Sequence, residues 1–112
     1  MMTIKLQPKY FDYVKNGAKR IELRLNDEKR QLIKIGDEIE ILKEPNLDES
    51  FTVKVIGLLK YSCFEDLFKD FDISILADKS EKKQDVLKDL EKYYSKEKQA
   101  EYNVLGIRFE LI

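Results

Sequence analysis

Charged side chains of both signs are concentrated in one short segment near the start of the chain. The run GAKRIELR, residues 17–24, presents Lys19, Glu22 and Arg24 close together. A carboxylate accepts hydrogen bonds from the edge of a base or from a ribose hydroxyl, whereas lysine and arginine neutralise phosphate. These residue types therefore suit a site for a nucleotide-like ligand. The same pattern is also typical of a solvated strand face with weak ion pairs, so residue types alone leave both interpretations open.

The composition excludes several kinds of chemistry. The chain has no histidine and a single cysteine, Cys63. Histidine-based triads, histidine-ligated metals, a structural zinc site and an intrachain disulfide are therefore excluded. We expect neither a metal site nor a bound cofactor. An enzyme built on this sequence would have to rely on Lys, Glu, Asp, Tyr, Ser or Thr side chains, because a lone cysteine usually serves as a small apolar residue.

The charge balance and the apolar segments bear on partners and location. The formal net charge of −1 gives the molecule no overall basic field, so a nucleic-acid contact has to come from a local patch. No apolar run approaches the ~20 residues that cross a bilayer, and the N-terminal segment lacks the apolar core of a signal peptide. We therefore expect a cytoplasmic protein with no membrane partner, and a monomer is favoured, although the sequence leaves the oligomeric state open.

The hydrophobic periodicity predicts the order strand, helix, three strands, two helices, strand. A length of 112 residues suits one domain with one core. Three consecutive strands without a crossover favour a mixed or antiparallel sheet that is curled into a small barrel. The predicted strands cover residues 3–6, 19–25, 38–42, 51–61 and the segment from 104 onward, and the first helix covers 8–15.

Local signals refine this outline. Ser62 and Glu65 have capping-box spacing, which predicts a helix start, and Ser80 is expected to cap a longer helix. Residues 72–79 are expected to be irregular. Gly57 predicts a bend or bulge in the long strand, and Ser95 predicts a further helical turn. The apolar strand positions are expected to share one core; these are Ile21, Leu23, Val53, Val55, Ile107 and Phe109.

The segment GAKRIELR resembles the G-x-K-x-x-E-x-R signature of the ASCH domain, a family related to the PUA RNA-binding fold. The resemblance continues through LNDEKRQLIKIGDEIEI, residues 25–41, where the family has a charged loop and a Gly-Asp turn. It resumes at YSCFEDLF, residues 61–68, and at KYYSKEKQAEYNVLGIRFELI, residues 92–112. Four blocks in the right order make this resemblance specific.

The resemblance implies a single ASCH domain over residues 1–112, of α+β class. It implies a PUA-like mixed β-barrel of about five to six strands with three to four peripheral helices. It also implies a cleft between barrel and helices that binds RNA, a nucleoside or a nucleotide. The expected ligand-binding residues are Lys19, Glu22, Arg24 and Tyr94 from the matched motifs, and Tyr61, an aromatic beside Lys60 that could stack on a base.

The resemblance leaves an alternative function open. One branch of the family is similar to amidohydrolases that deacetylate acetylated cytidine with a lysine, a threonine and a glutamate. Lys19 matches the lysine, but Glu22 stands at the threonine position, and a carboxylate is a poor substitute for a hydroxyl nucleophile. The alternative is therefore a hydrolase acting on a modified nucleoside or an RNA phosphodiester. Lys19 and Glu22 would then be its catalytic acid–base partners.

Overall fold

The computed structural model describes residues 2–112, which form a mixed sheet of five strands with helices packed against it. The strands are β1 Met2–Leu6, β2 Ile21–Leu25, β3 Glu38–Lys43, β4 Ser50–Tyr61 and β5 Val104–Leu111. Their spatial order is β1-β3-β4-β5-β2, with β1 and β3 parallel and every other pair antiparallel. The predicted mixed, curled sheet is confirmed.

Five α-helices accompany the sheet within the described residues, together with one 3-10 turn at Arg30–Leu32. They are α1 Pro8–Lys15, α2 Phe64–Asp70, α3 Ile73–Leu76, α4 Lys83–Tyr93 and α5 Lys96–Tyr102. The α+β class is confirmed, with more helices than the three to four predicted. The additional helix α3 lies in the stretch expected to be irregular, where the Asp72 side chain accepts from the Ser74 N–H and caps a single turn.

The sheet curls until its two edge strands approach each other. β1 and β2 stand at opposite ends of the strand order. Nevertheless, Nη2 of Arg24 in β2 donates to the carbonyl oxygen of Lys5 in β1 at 3.1 Å. The sheet is therefore a half-barrel whose open seam lies between β1 and β2, and a side chain bridges that seam.

The apolar residues form two clusters instead of the single core that the sequence predicts. Val53, Val55, Ile107 and Phe109 are buried with residues of β1, α1 and β3 inside the half-barrel. Ile21 and Leu23 are buried instead against residues of α2, α3 and α4. The expectation of one shared core was wrong because β2 lies at the end of the sheet, where its apolar face turns toward the helices.

Several local predictions are confirmed by the backbone. Helix α1 has the predicted bounds and ends before Gly17, whose φ of +86° lies in the left-handed region that glycine adopts readily. The register of β4 against β5 shifts between Val55 and Gly57, which is the expected bulge. The Ser95 hydroxyl accepts from the Lys98 N–H and caps α5.

The two predicted helix starts after β4 were wrong. Ser62 donates to Asp66 instead of capping, and α2 begins at Phe64, whose N–H is accepted by Oε1 of Gln99 from α5. Ser80 bonds to Asp78, and α4 begins only at Lys83. In both places the serine hydrogen-bonds to a neighbouring aspartate instead of capping the helix. For α2 the cap is the side chain of Gln99, which is too distant in the sequence for spacing to reveal.

Across residues 2–112, none of the helices combines the length and the apolar character needed to cross a bilayer.

Candidate functional site

A cavity of about 150 Å³ lies at the seam of the half-barrel. One wall is formed by the end of β1 and by β2, and α4 with the following Tyr94 covers the opposite side. Tyr10 of α1 and the apolar side chains of Val86 and Leu90 also line it. The lining further includes two acidic side chains, Glu44 and Asp89. The cavity therefore sits between barrel and helices, where the resemblance places the cleft.

The turn after α1 brings Lys19 to the cavity. Strict strand alternation would put Lys19 and Glu22 on opposite faces, but β2 begins only at Ile21. Gly17 leaves the helix with positive φ, and the Lys19 N–H then donates to the carbonyl oxygen of Tyr13 at 3.0 Å. Lys19 thus precedes the regular pleat, and its Nζ lies 3.5 Å from Oε1 of Glu22.

The ammonium group of Lys19 is enclosed by acceptors. The residue is only 3% exposed, and Nζ donates to the carbonyl oxygens of Ile21 and Leu76, both at 2.7 Å. With Glu22 as the third neighbour, the three N–H groups of the ammonium each face an acceptor. Burial lowers the pKa of Lys19, and the charge of Glu22 opposes that shift.

Glu22 is a buried carboxylate between two cations. Its Oε1 accepts from the Leu23 N–H at 3.0 Å, and its Oε2 accepts from Nη2 of Arg24 at 2.9 Å. Burial alone would raise the pKa of Glu22, but Arg24 and Lys19 outweigh it and hold the pKa below its ordinary value. The cluster of Lys19, Glu22 and Arg24 therefore places one carboxylate between two basic side chains beside the cavity.

Arg24 connects the carboxylate to the far wall. Its Nη1 donates to the hydroxyl of Tyr94 at 3.0 Å, while Nε is buried without a hydrogen-bond partner among the described residues. Burial would lower the pKa of Arg24, but Glu22 and Tyr94 outweigh that and raise it, so the guanidinium stays charged. The Tyr94 ring packs against Phe64 with ring centroids 5.8 Å apart, which fixes the hydroxyl that Arg24 reaches.

Tyr61 lies away from the other predicted ligand-binding residues. Its hydroxyl donates to Asp70 of α2 at 2.5 Å, and its ring packs against the apolar cluster on the helix side. Lys19, Glu22, Arg24 and Tyr94 line the cavity, whereas Tyr61 is not part of its lining.

The cavity also contains residues that the sequence analysis did not select. Tyr10 belongs to α1, and Gln7 and Lys5 precede that helix, so all three lie outside the matched motifs. Tyr93 also lines the cavity and is 68% exposed. Spacing alone does not distinguish Tyr93 from Tyr94, because neighbouring helix positions can both be buried, as Leu67 and Phe68 are in α2.

The five-stranded open sheet with peripheral helices defines a PUA-like half-barrel. Residues 4–112 match the sequence model of the ASCH domain. The chain therefore belongs to the ASCH domain family, as the motif resemblance implied. Among curated proteins, none matches this sequence.

Solved structures share the whole architecture. The crystal structure of the hypothetical protein PH0355 is 32% identical and superposes with a TM-score of 0.83, covering 99% of this chain and 98% of that one. The solution NMR structure of protein PF0455 from Pyrococcus furiosus is 25% identical with a TM-score of 0.75, covering 99% and 96%. A mutant ZmASCH protein from Zymomonas mobilis is 12% identical with a TM-score of 0.67, covering 96% and 66%, and this likeness concerns the fold alone.

Proposed function

We propose that the cleft binds a nucleotide, either free or as a unit of RNA, with the base in the cavity against Glu22 and Arg24. The observation that carries this proposal is the buried cluster of Lys19, Glu22 and Arg24 on one wall of a small cavity. The rest of the lining combines aromatic and apolar side chains with Lys5, Gln7, Glu44 and Asp89. Structural ion clusters occur in cores too, but this one lines an opening between strand edge and helix.

The dimensions of the cavity suit a single planar ring. A cavity of about 150 Å³ is enough to hold benzene, whereas pockets for whole drug-sized ligands measure roughly 300–1,000 Å³. The volume of about 150 Å³ therefore matches a base without its ribose and phosphate. Tyr10 and Tyr94 offer aromatic surface to such a ring. The ribose and phosphate would lie toward the mouth, where the exposed Lys5 is available to a phosphate.

Both polar groups retain hydrogen-bonding capacity for a ligand. A carboxylate has about four acceptor positions, and those of Glu22 receive three donors, from Leu23, Lys19 and Arg24. A guanidinium has about five N–H groups, and Arg24 directs three bonds to Tyr94, Lys5 and Glu22. One acceptor position of Glu22 and at least one N–H group of Arg24 therefore remain. Together they can hydrogen-bond to a base edge that carries an amino group next to an acceptor.

Lys19 serves as a positioning residue in this proposal. Its ammonium is occupied by Ile21, Leu76 and Glu22, so it orients the carboxylate and adds positive potential without touching phosphate. The same saturation weighs against the hydrolase alternative, because a general base needs a free lone pair. Of the described residues, those lining the cavity include no serine, threonine or cysteine to act as an acyl acceptor.

Titration calorimetry with the four ribonucleoside 5′-monophosphates tests the proposal. We expect saturable binding of at least one of them and a changed base preference in Glu22→Gln, since an amide donates as well as accepts. Glu40→Gln is the matched control, because Glu40 is a half-buried strand carboxylate outside the cavity. Equal effects of both substitutions, or no binding by folded wild-type protein to nucleotides and RNA, would contradict the proposal.

The hydrolase alternative has its own experiment. We expect no product when the purified protein is incubated with acetylated cytidine or with labelled RNA and the mixtures are separated by chromatography. Release of acetate or shortened RNA that Lys19→Met abolishes would establish catalysis instead.

A further inference from the structure

A second hollow adjoins the cavity on its outer side. It has a volume of about 430 Å³ and is lined by Gln7, Lys9, Tyr10, Asp89, Lys92 and Tyr93. Gln7, Tyr10, Asp89 and Tyr93 line both spaces, so the two are adjacent. We call this space the outer hollow. A ligand whose base fills the cavity and whose backbone leaves it on this side would meet the outer hollow next.

Tyr93 presents an open aromatic surface at the outer hollow. The residue is 68% exposed, but its hydroxyl is held by Nε2 of Gln7 at 2.7 Å. An exposed tyrosine ring gains no stabilisation from burial. This ring is nevertheless held in one orientation by a hydrogen bond to a residue 86 positions away in the sequence. An exposed ring that is already oriented loses little conformational freedom when a base stacks on it.

Two lysines, Lys9 and Lys92, line the outer hollow together with Tyr93, and each is paired with a carboxylate. Lys92 pairs with Asp89 at 3.5 Å, and both side chains are more than half exposed, so the pair is weak and is easily exchanged for a phosphate contact. Lys9 lies 5.0 Å from the Tyr10 ring centre and pairs with Glu81 at 2.8 Å. An aromatic platform flanked by lysines is the combination that single-stranded nucleic acid binds through base stacking and backbone neutralisation.

We propose that the outer hollow binds a second nucleotide, stacked on Tyr93 with its phosphate near Lys92, so that the ligand is a single-stranded oligonucleotide. This proposal rests on the proposed function of the cavity and names the class of ligand that the whole cleft takes. The inner space holds only one ring, and the outer hollow has the size and the chemistry for the next unit of the strand.

Fluorescence-detected or calorimetric titrations with ribonucleoside monophosphates and with the corresponding dinucleotides test this. We expect the best dinucleotide to bind at least about tenfold more tightly than its mononucleotide, a difference of about 1.4 kcal/mol. Tyr93→Ala should reduce that ratio to near one, and Tyr93→Phe, which keeps the ring, should preserve most of it. Tyr102→Ala is the control, since Tyr102 is a half-buried tyrosine with a lysine 5.7 Å from its ring but lies outside both spaces.

The outcomes separate this proposal from the one on which it rests. Equal affinity for mononucleotides and dinucleotides would refute the outer subsite and leave nucleotide binding by the cavity intact. A tenfold preference that Tyr93→Ala leaves unchanged would also refute it. Absence of binding for every mononucleotide, dinucleotide and longer RNA would instead refute the proposed function itself, and with it the subsite.

Discussion

The buried pair of Lys19 and Glu22 gives the sharpest prediction about energetics. We consider Lys19→Met, Glu22→Gln and the double substitution, which together form a double-mutant cycle. Each single change leaves buried polar groups without a partner. Glu22→Gln removes the negative charge between Lys19 and Arg24. Lys19→Met removes the donor to the carbonyl oxygens of Ile21 and Leu76. Breaking a buried pair in this way costs about 3–5 kcal/mol.

The geometry sets the size of the coupling. At the observed 3.5 Å separation and an effective permittivity of about 20, the Coulomb attraction is about 5 kcal/mol. Lys19 can relieve part of a loss by releasing its proton, since burial already lowers its pKa. We therefore expect each single substitution to cost about 3 kcal/mol. The double substitution should cost about 2–3 kcal/mol less than the sum, in the range observed for contacting residues.

Urea denaturation followed by far-ultraviolet circular dichroism measures these free energies of unfolding. The chain has no tryptophan, so backbone ellipticity is the better signal. An unchanged slope with denaturant concentration is required for each variant, because a changed slope indicates an altered denatured or native state. A coupling below about 0.5 kcal/mol would show that the two charges are independent, and the description of one buried cluster would then be wrong.

Three further predictions concern stability. Leu23→Asp should prevent folding, because Leu23 is 4% exposed among apolar neighbours and an unpaired buried charge is very costly. A soluble variant that melts cooperatively would contradict this prediction. The pKa of Glu22 is lower in the folded protein than in the unfolded chain. The ionised carboxylate therefore stabilises the fold above about pH 4.3, and this stabilisation is lost as the pH falls through the folded-state pKa. In acid titrations, the difference in unfolding free energy between wild type and Glu22→Gln should narrow below about pH 4. Gly106→Ala should lower the free energy of unfolding by about 1–3 kcal/mol, because an added Cβ would lie 3.1 Å from Ile21 Cγ2 and 3.2 Å from Leu67 Cδ1. Thermal melts measure this effect. An unchanged melting temperature would show that the two side chains move aside without cost.

Local sequence patterns predicted most of the sheet and missed the way the helices attach. Two of these patterns are local in sequence: the apolar alternation in β2, and the helix start at Pro8 with the helix end before Gly17. Because they depend only on neighbouring residues, they predict the strand and the helix directly. The start of α2 depends on Gln99, which lies 35 positions away from the N–H that it accepts. Sequence spacing cannot reveal such a tertiary cap, and the nearby Ser62 offered a plausible local substitute.

The site was predicted in composition but not in its degree of burial. The motif identified Lys19, Glu22 and Arg24, and the resemblance supplied Tyr94; all four line the cavity. Period-two alternation nevertheless favoured an open, solvated face for Glu22, which is 6% exposed. Its burial follows from the curl of the sheet and from α4 lying across the seam, and both depend on contacts between distant segments.

The outer part of the cleft was the least predictable. Tyr93 belongs to the apolar stripe of α4 by spacing, yet its hydroxyl bonds to Gln7 and its ring stays exposed. The stripe is wider than the surface that α4 covers, so its margin remains in water. The half-buried Tyr94 contacts Phe64 and Arg24, whereas the exposed Tyr93 bonds to Gln7, so tertiary contacts distinguish the two tyrosines.

An NMR titration of isotope-labelled protein with ribonucleotides tests the central claim most directly, because it reports where a ligand binds as well as whether it binds. We expect the largest shifts on the backbone amides of residues 19–24 and 89–94 and on the side-chain N–H signals of Arg24. Exposed residues of α2, such as Glu65 and Lys69, should be unaffected. Shifts confined to α2 or the β3–β4 turn, or no shift at saturating RNA, would contradict the account.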